Sequence, residues 1–363
     1  MPGQTPFDHI AAAGDLLAQG RAAAAVALLR EAMASGRTGP LTELVLGRAL
    51  VASGEGAKAV AILREVRHFL PSSAEAASAL ADALLAEDAL PTAIAEYQRA
   101  LRLDPAHAPA ELGLARAWLA AGEWEKAEPR LAAAKLSGAP LQTIAALEAE
   151  IASLRAQPRS PRNYVRHLFD DFAAGYDARM HGQLAYRAPE ILLEMHAFIA
   201  SPSAPVDSLD LGCGTGLAGA AFKKHARSIT GVDLSPRMIE RARARGIYDA
   251  LHVADIEDFL GAGTRAYGLI LAADVLVYLG DLAPVMQGVS AHLAPGGAFL
   301  FTVERNPKPG FALGEKRRWR HSEDYLRRMA AAHGFELAGL IACTPRLEGG
   351  APVEGICAAL VKK

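Results

Sequence analysis

Small and apolar residues recur through the first half of the chain with a period of 34. Leu46-Gly47, Leu80-Ala81 and Leu114-Ala115 hold the same place in successive units, as do Ala59, Ala93 and Ala127, and Val66, Ala100 and Ala134. Carried back one period, Ala13, Leu16, Ala25, Leu29 and Ala32 fall at matching positions. Such self-similarity predicts tandem helix–turn–helix units. Small residues suit the points where two helices cross closely; Leu84, Tyr97, Trp118 and Leu131 are the large side chains expected around those crossings. Helix breaks are expected at Ser53-Gly54-Glu55-Gly56 and Ala121-Gly122-Glu123. The units begin near Pro6, Pro40, Ala74 and Ala108, and a last helix from Leu141 to Leu154 caps the stack.

The pattern changes after Ala156-Gln157-Pro158-Arg159-Ser160-Pro161-Arg162, where two prolines among polar neighbours mark a boundary. Leu168, Phe169 and Phe172 lie at helical spacing, and a second helix is expected from Ala188 to about Ile199. Strand-like runs then alternate with helical ones. The strands are expected at 206–211, 228–233, 250–254, 267–272 and 297–304, with helices starting near Leu217, Pro236, Ile256 and Leu282. That order predicts an open, mostly parallel sheet with helices on both faces. After a helix from Ser322 to Ala332, strands near 335–343 and 353–361 follow without a helix between them, which predicts an antiparallel edge hairpin.

The chain has 363 residues, 51% of them hydrophobic, too many for one ordinary core. Two domains are therefore expected, an all-α solenoid over 1–156 and an α/β domain over 157–363. A formal net charge of −2 exerts no global pull toward nucleic acid or an anionic membrane. Cys213, Cys343 and Cys357 form neither a disulfide framework nor a metal-ligand spacing. The start of the chain lacks the basic region of a signal peptide, and no apolar stretch is long enough for a bilayer. Together these predict a soluble, cytoplasmic protein.

The chemistry is concentrated in Val206-Asp207-Ser208-Leu209-Asp210-Leu211-Gly212-Cys213-Gly214-Thr215-Gly216-Leu217. A strand runs into an acidic residue and then into alternate glycines, which allow a ligand close to the backbone. A second strand ends at Asp233, placed to bind a ribose diol. A dinucleotide site would read Gly-x-Gly-x-x-Gly; here Leu217 stands where the third glycine would be.

The combination resembles motif I of the class I S-adenosylmethionine-dependent methyltransferases. The likeness continues through Gly231-Val232-Asp233-Leu234-Ser235-Pro236-Arg237-Met238, His252-Val253-Ala254-Asp255-Ile256, the fourth strand with Asp274, and His292-Leu293-Ala294-Pro295-Gly296-Gly297. It implies a Rossmann-like fold with a mostly parallel seven-stranded sheet. It also implies S-adenosylmethionine as cofactor, with Asp210 and Gly212 on the amino-acid head beside Gly214 and Gly216. Asp233 would take the ribose, Leu234 and Met238 would border the adenine, and Asp255 and Ile256 would bind its edge. Asp274 would stand beside the methyl group. The helices over 163–200, preceding a core over 206–363, would form a lid carrying Tyr164, Tyr176 and Tyr186, whose faces favour a sulfonium cation. Asp274, Tyr278, Glu304 and His321 are candidates for a base. Lys316-Arg317-Arg318-Trp319-Arg320-His321 is expected as a loop facing the acceptor, suited to an anionic group, or to RNA through Trp319. The absence of Asn-Pro-Pro-Tyr moves weight toward a small-molecule acceptor and away from nucleic acid.

The first half resembles the tetratricopeptide repeat, most closely at 80–85 and 93–105. That resemblance implies a face binding peptides or proteins; homodimerisation is the alternative role. A protein or carrier-protein substrate held by the repeats, or a non-catalytic adaptor, are the alternatives to a small-molecule enzyme.

Overall fold

A computed structural model describes residues 8–199, 204–263 and 265–363. The chain divides into two compact units, Met1–Arg155 and Ala156–Lys363.

The first unit is built of helix pairs: α1 (Asp8–Ala18) and α2 (Ala22–Ala34), α3 (Pro40–Ala52) and α4 (Gly56–Phe69), α5 (Ala74–Ala86) and α6 (Leu90–Leu103), α7 (Ala108–Ala120) and α8 (Trp124–Leu136), then α9 (Leu141–Ala156). The helices α3, α5 and α7 start at the three repeat boundaries read from the period; the expected start at Pro6 lies outside the described residues. The repeated small residues stand at the crossings. A Cβ on Gly47 would lie 2.4 Å from Leu63 Cγ, and one on Gly113 2.2 Å from Tyr97 Cε1. Ala59, Ala93 and Ala127 are fully buried. Tyr97, also fully buried, donates its hydroxyl to Asp82 Oδ1 at 2.5 Å, so its polar end is satisfied.

The second unit opens with α10 (Arg162–Phe172), α11 (Tyr176–His181) and α12 (Ala188–Phe198). The alternation follows as β1 (Val206–Leu211), α13 (Leu217–Phe222), β2 (Ala226–Asp233), α14 (Pro236–Ala244), β3 (Ala250–Val253), α15 (Ile256–Ala262), β4 (Tyr267–Ala272), α16 (Ala283–His292) and β5 (Leu293–Arg305). It closes with β6 (Phe311–Leu313), β7 (Trp319–His321), α17 (Glu323–Ala332), β8 (Phe335–Cys343), β9 (Leu347–Glu348), β10 (Ala351–Pro352) and β11 (Gly355–Lys362).

The main sheet runs β3-β2-β1-β4-β5-β11-β8, with β6 and β7 attached beside β5. The first five strands pair in parallel, and β11 is antiparallel to both β5 and β8. Period-two alternation divides the core. Leu209, Leu211, Ile270, Phe299 and Phe301 face α15, α16 and α17, whereas Leu269, Leu271, Leu300 and Cys357 face α12 and α13.

Two expectations are corrected. The seven-strand path is the one expected, and two short strands beside β5 bring the sheet to nine: β6, and Trp319–His321, which is a strand rather than a loop. It pairs with β5 through Glu304↔Arg320 and Arg305↔His321, and with β6 on its other side. The helix α12 is not part of a lid: Ile191, Leu192 and Met195 are buried against the sheet. The boundary segment Pro158–Ser160 is tied to the loop that follows β4. Pro158 O accepts from Gly280 N at 2.7 Å, and Ser160 N donates to Tyr278 O at 2.8 Å.

Candidate active site

The chain crosses from the β3 edge back to β4, so the order reverses between β1 and β4. Ligands bind at such a switch point, beyond the carboxyl ends of the strands. The glycine turn lies there. Gly212, Gly214 and Gly216 all have positive φ (66°, 53° and 96°), a conformation that favours glycine. A Cβ on Gly212 would stand 2.3 Å from Val275 Cγ2. Gly216 ends the turn and starts α13.

Asp233, at the end of β2, is held from both sides: Gly214 N donates to Oδ2 at 2.9 Å and Ser235 N to Oδ1 at 2.8 Å. Burial nevertheless raises its pKa to about 6. Asp210 lies behind the turn, 1% exposed, with Tyr248 donating its hydroxyl to Oδ2 at 2.7 Å. Its Oδ1 is buried with no hydrogen-bond partner, and burial raises its pKa to about 7. Asp255 caps α15, accepting from Glu257 N at 3.0 Å, while its Oδ2 takes Arg159 Nη2 at 2.6 Å. Arg162 Nε stands 3.3 Å from the same oxygen.

A slot of about 70 Å³ has walls that include Gly212, Gly214, Asp233, Leu234, Asp255, Ile256 and Arg159, whereas Asp210 and Gly216 lie behind it and line neither this slot nor the cavity beside it. That cavity, of about 550 Å³, is lined by Tyr164, Phe172, Arg179, Lys316, Arg318, Arg346 and Glu348, among others. Phe169, Tyr176, Asp274 and Tyr278 line both spaces, so the two meet at these four residues.

The helices α10 and α11 cover the slot and are tied to the turn beneath. Asp170 accepts from Ser235 Oγ at 2.5 Å, and Asp177 accepts from Thr215 Oγ1 at 2.5 Å and from the Arg245 guanidinium. The Phe169 ring meets Tyr176 and Tyr278 edge-on, with centroids at 6.2 and 5.6 Å.

Asp274 follows β4 with a φ of 57°, a strained conformation for a non-glycine residue. Its N–H donates to Thr302 Oγ1 at 2.9 Å. Arg346 Nη1 donates to both its carboxylate oxygens, and Arg346 Nη2 donates to Glu304. Burial raises the Asp274 pKa against the opposing pull of Arg346.

Some expected residues lie elsewhere. His321 is fully buried and lines neither space. Its Nε2 is 2.9 Å from Gly280 O, its ring stacks on Tyr325, and burial lowers its pKa to about 4. It supports the fold and is not placed as a base. Glu304 is buried among Arg318, Arg320 and Arg346 and also lies outside both spaces. Met238 is fully buried and lines neither space; its N–H caps onto Ser235 Oγ at 3.0 Å. Tyr186 lines neither space either and donates to Ala273 O at 3.4 Å, bracing the end of β4. Arg159, Arg179 and Arg346 carry much of the geometry without standing out in the sequence.

Residues 209–299 match the family model of a methyltransferase domain, and residues 16–83 and 84–156 match that of a tetratricopeptide repeat. Residues 16–156 thus carry tetratricopeptide repeats and residues 209–299 a methyltransferase domain. It is similar to a ubiquinone biosynthesis O-methyltransferase from Xanthomonas oryzae pv. oryzae, at 29% identity over 29% of this chain and 46% of that protein. A protein of the same name from Xylella fastidiosa is 27% identical over 41% of this chain and 64% of its own length. The chain thus spans between about half and two thirds of the length of these curated relatives. Among solved structures, a Burkholderia thailandensis 1,6-didemethyltoxoflavin-N1-methyltransferase with bound S-adenosylhomocysteine superposes with a TM-score of 0.44. It is 20% identical, over 56% of this chain and 90% of that one.

Proposed function

We propose that the chain transfers the methyl group of S-adenosylmethionine to a small-molecule acceptor. The observation that carries this reading is the meeting of a nucleoside-type slot and a larger cavity at Phe169, Tyr176, Asp274 and Tyr278.

The residues suit the cofactor. The unpartnered Asp210 Oδ1, with the Gly212 backbone, fits an ammonium head. Asp233 uses one backbone N–H on each oxygen and keeps lone pairs for a ribose diol. Leu234 and Ile256 provide apolar borders for a base, with Asp255 at its edge. Gly214 and Gly216 keep the turn open, and the Tyr176 ring offers a face for a cation. When bound, the cofactor supplies an activated methyl group on a sulfonium. The slot, at about 70 Å³, is below the 300–1,000 Å³ usual for ligand sites. Entry therefore requires α10 and α11 to swing outward, breaking the Asp170 and Asp177 ties.

The protein's own task is alignment. Phe169, Tyr176 and Tyr278 exclude water where the two spaces join, and the acceptor is held in line behind the methyl group. For a hydroxyl acceptor, Asp274 takes the proton on a carboxylate oxygen, its raised pKa bringing it nearer the working range of a general base. Tyr278, its own pKa raised by burial, stays protonated and can donate a hydrogen bond.

The repeats are assigned to protein interaction or dimerisation. Arg48, Asp82 and Arg116 occupy one repeat position on α3, α5 and α7 and line a groove of about 510 Å³. Three free cysteines and the lack, among the described residues, of any helix long and apolar enough to cross a membrane support a cytoplasmic setting. Methyl-labelled S-adenosylmethionine incubated with the full chain and a panel of small phenols tests the proposal. Label in the small-molecule fraction is expected; label only in polypeptides would favour a protein substrate gripped by the repeats.

A further inference from the structure

The cavity beside the slot is charged unevenly along its depth. At the inner end, Asp274 and Arg346 are 10% and 3% exposed and paired with each other. At the mouth stand Arg179 and the Gly349-Gly350 turn, all exposed, with Lys316. The carboxylates nearby are already committed: Asp274 to Arg346, Glu304 to Arg318, Arg320 and Arg346, and Glu348 to Lys316 and Arg318. Among the charged groups that line the cavity, Lys316, Arg318 and Arg346 are each paired with a carboxylate, which leaves Arg179.

Arg179 has no carboxylate partner among the described residues. Its guanidinium lies 4.5 Å over the Phe172 ring, which holds it at the mouth. The walls between mouth and inner end are aromatic or apolar: Tyr164, Leu168, Phe169, Phe172 and Met180. An unpaired planar guanidinium above an aromatic-walled cavity matches one planar anion on an aromatic body.

We infer that the acceptor is a small aromatic carboxylate, its carboxylate held by Arg179 at the mouth and its ring between the aromatic walls. The nucleophile is then carried at the far end of the ring, at Asp274 and Tyr278. The inference rests on the proposed methyltransferase activity, and it adds the acceptor's chemical class and the residue that selects it. A planar carboxylate matches the forked donors of the one guanidinium at the mouth that has no carboxylate partner.

The test is binding to the full chain saturated with S-adenosylhomocysteine, using 4-hydroxycinnamate and 3,4-dihydroxybenzoate beside their neutral amides. The acids are expected to bind about tenfold or more tighter than the amides, a preference lost in Arg179→Gln and partly kept in Arg179→Lys. Affinity for the amides should be unchanged in both variants, which a general loss of structure would not produce. Equal binding of acid and amide, no binding of either, or an acid preference that survives Arg179→Gln overturns the inference. Failure of S-adenosylhomocysteine itself to bind would instead overturn the proposed activity on which it rests.

Discussion

Arg346 and Asp274 form a buried pair in which one guanidinium nitrogen donates to both oxygens of the carboxylate while the other reaches Glu304. Arg346 stands between β8 and β9, 72 residues after Asp274. It fixes the carboxylate where the slot and the cavity meet, and it compensates two buried negative charges at once. Removing it leaves the Asp274 carboxylate without an ion-pair partner, while Glu304 keeps Arg318 and Arg320. Arg346→Ala should destabilise the protein by about 3–5 kcal/mol in urea unfolding, and Arg346→Lys should recover only part of that loss. An unchanged unfolding midpoint for Arg346→Ala would contradict the pairing.

The ties from Asp177 to Thr215 and Arg245 hold α11 against the glycine turn. If these helices gate the slot, Asp177→Ala should speed both entry and release of S-adenosylhomocysteine in stopped-flow, by about tenfold for one charge-assisted bond. Affinity should change less than either rate. A variant with unaltered rates would mean that the slot opens elsewhere.

The glycines divide by role. Gly212→Ala combines a positive φ with a 2.3 Å approach to Val275, and should weaken cofactor binding sharply. Gly113→Ala strikes Tyr97 at 2.2 Å inside the repeats and should cost about 1–3 kcal/mol there. Calorimetry should find S-adenosylhomocysteine affinity intact in Gly113→Ala and lost in Gly212→Ala; the reverse pattern would sink this assignment.

Burial raises the pKa of Asp210 from the model-peptide value of 3.8 to about 7. The folded state therefore holds this proton more tightly than the unfolded chain. The associated stability is fully present below about pH 4 and is lost as pH rises through about 7. His321, with its pKa lowered to about 4, acts in the opposite sense and loses its contribution as pH falls. A comparison with Asp210→Asn isolates the Asp210 part. The melting temperature of the variant relative to the natural protein should climb from pH 5 to pH 8; a constant difference would contradict the burial effect.

Much of this arrangement was legible in the residues. The 34-residue period locates α3, α5 and α7 because helix crossings demand small side chains at fixed points. The ends of β1, β2 and β4 follow from apolar runs that stop at a glycine turn or an acidic residue. What escaped depends on partners distant in sequence. Arg346 is a lone arginine before an edge strand, and no local pattern distinguishes it from a solvated one. The strand at Trp319–His321 hides because Lys316-Arg317-Arg318 looks like a charged loop and its ladder has only two pairs with β5. Asp255 was legible as a strand-end acid, whereas its neutralisation by Arg159 from the linker was not. His321 was misread because its burial comes from Gly280 and Tyr325, which the sequence around it does not reveal.

The central claim is that the glycine turn and Asp233 form the site for S-adenosylmethionine. Isothermal titration of S-adenosylhomocysteine into the full chain and into Asp233→Ala tests it most directly. The account predicts saturable one-to-one binding to the natural protein, weakened by about tenfold or more in the variant through loss of charge-assisted bonds to the ribose. No binding to the natural protein, or equal binding to both, would contradict it.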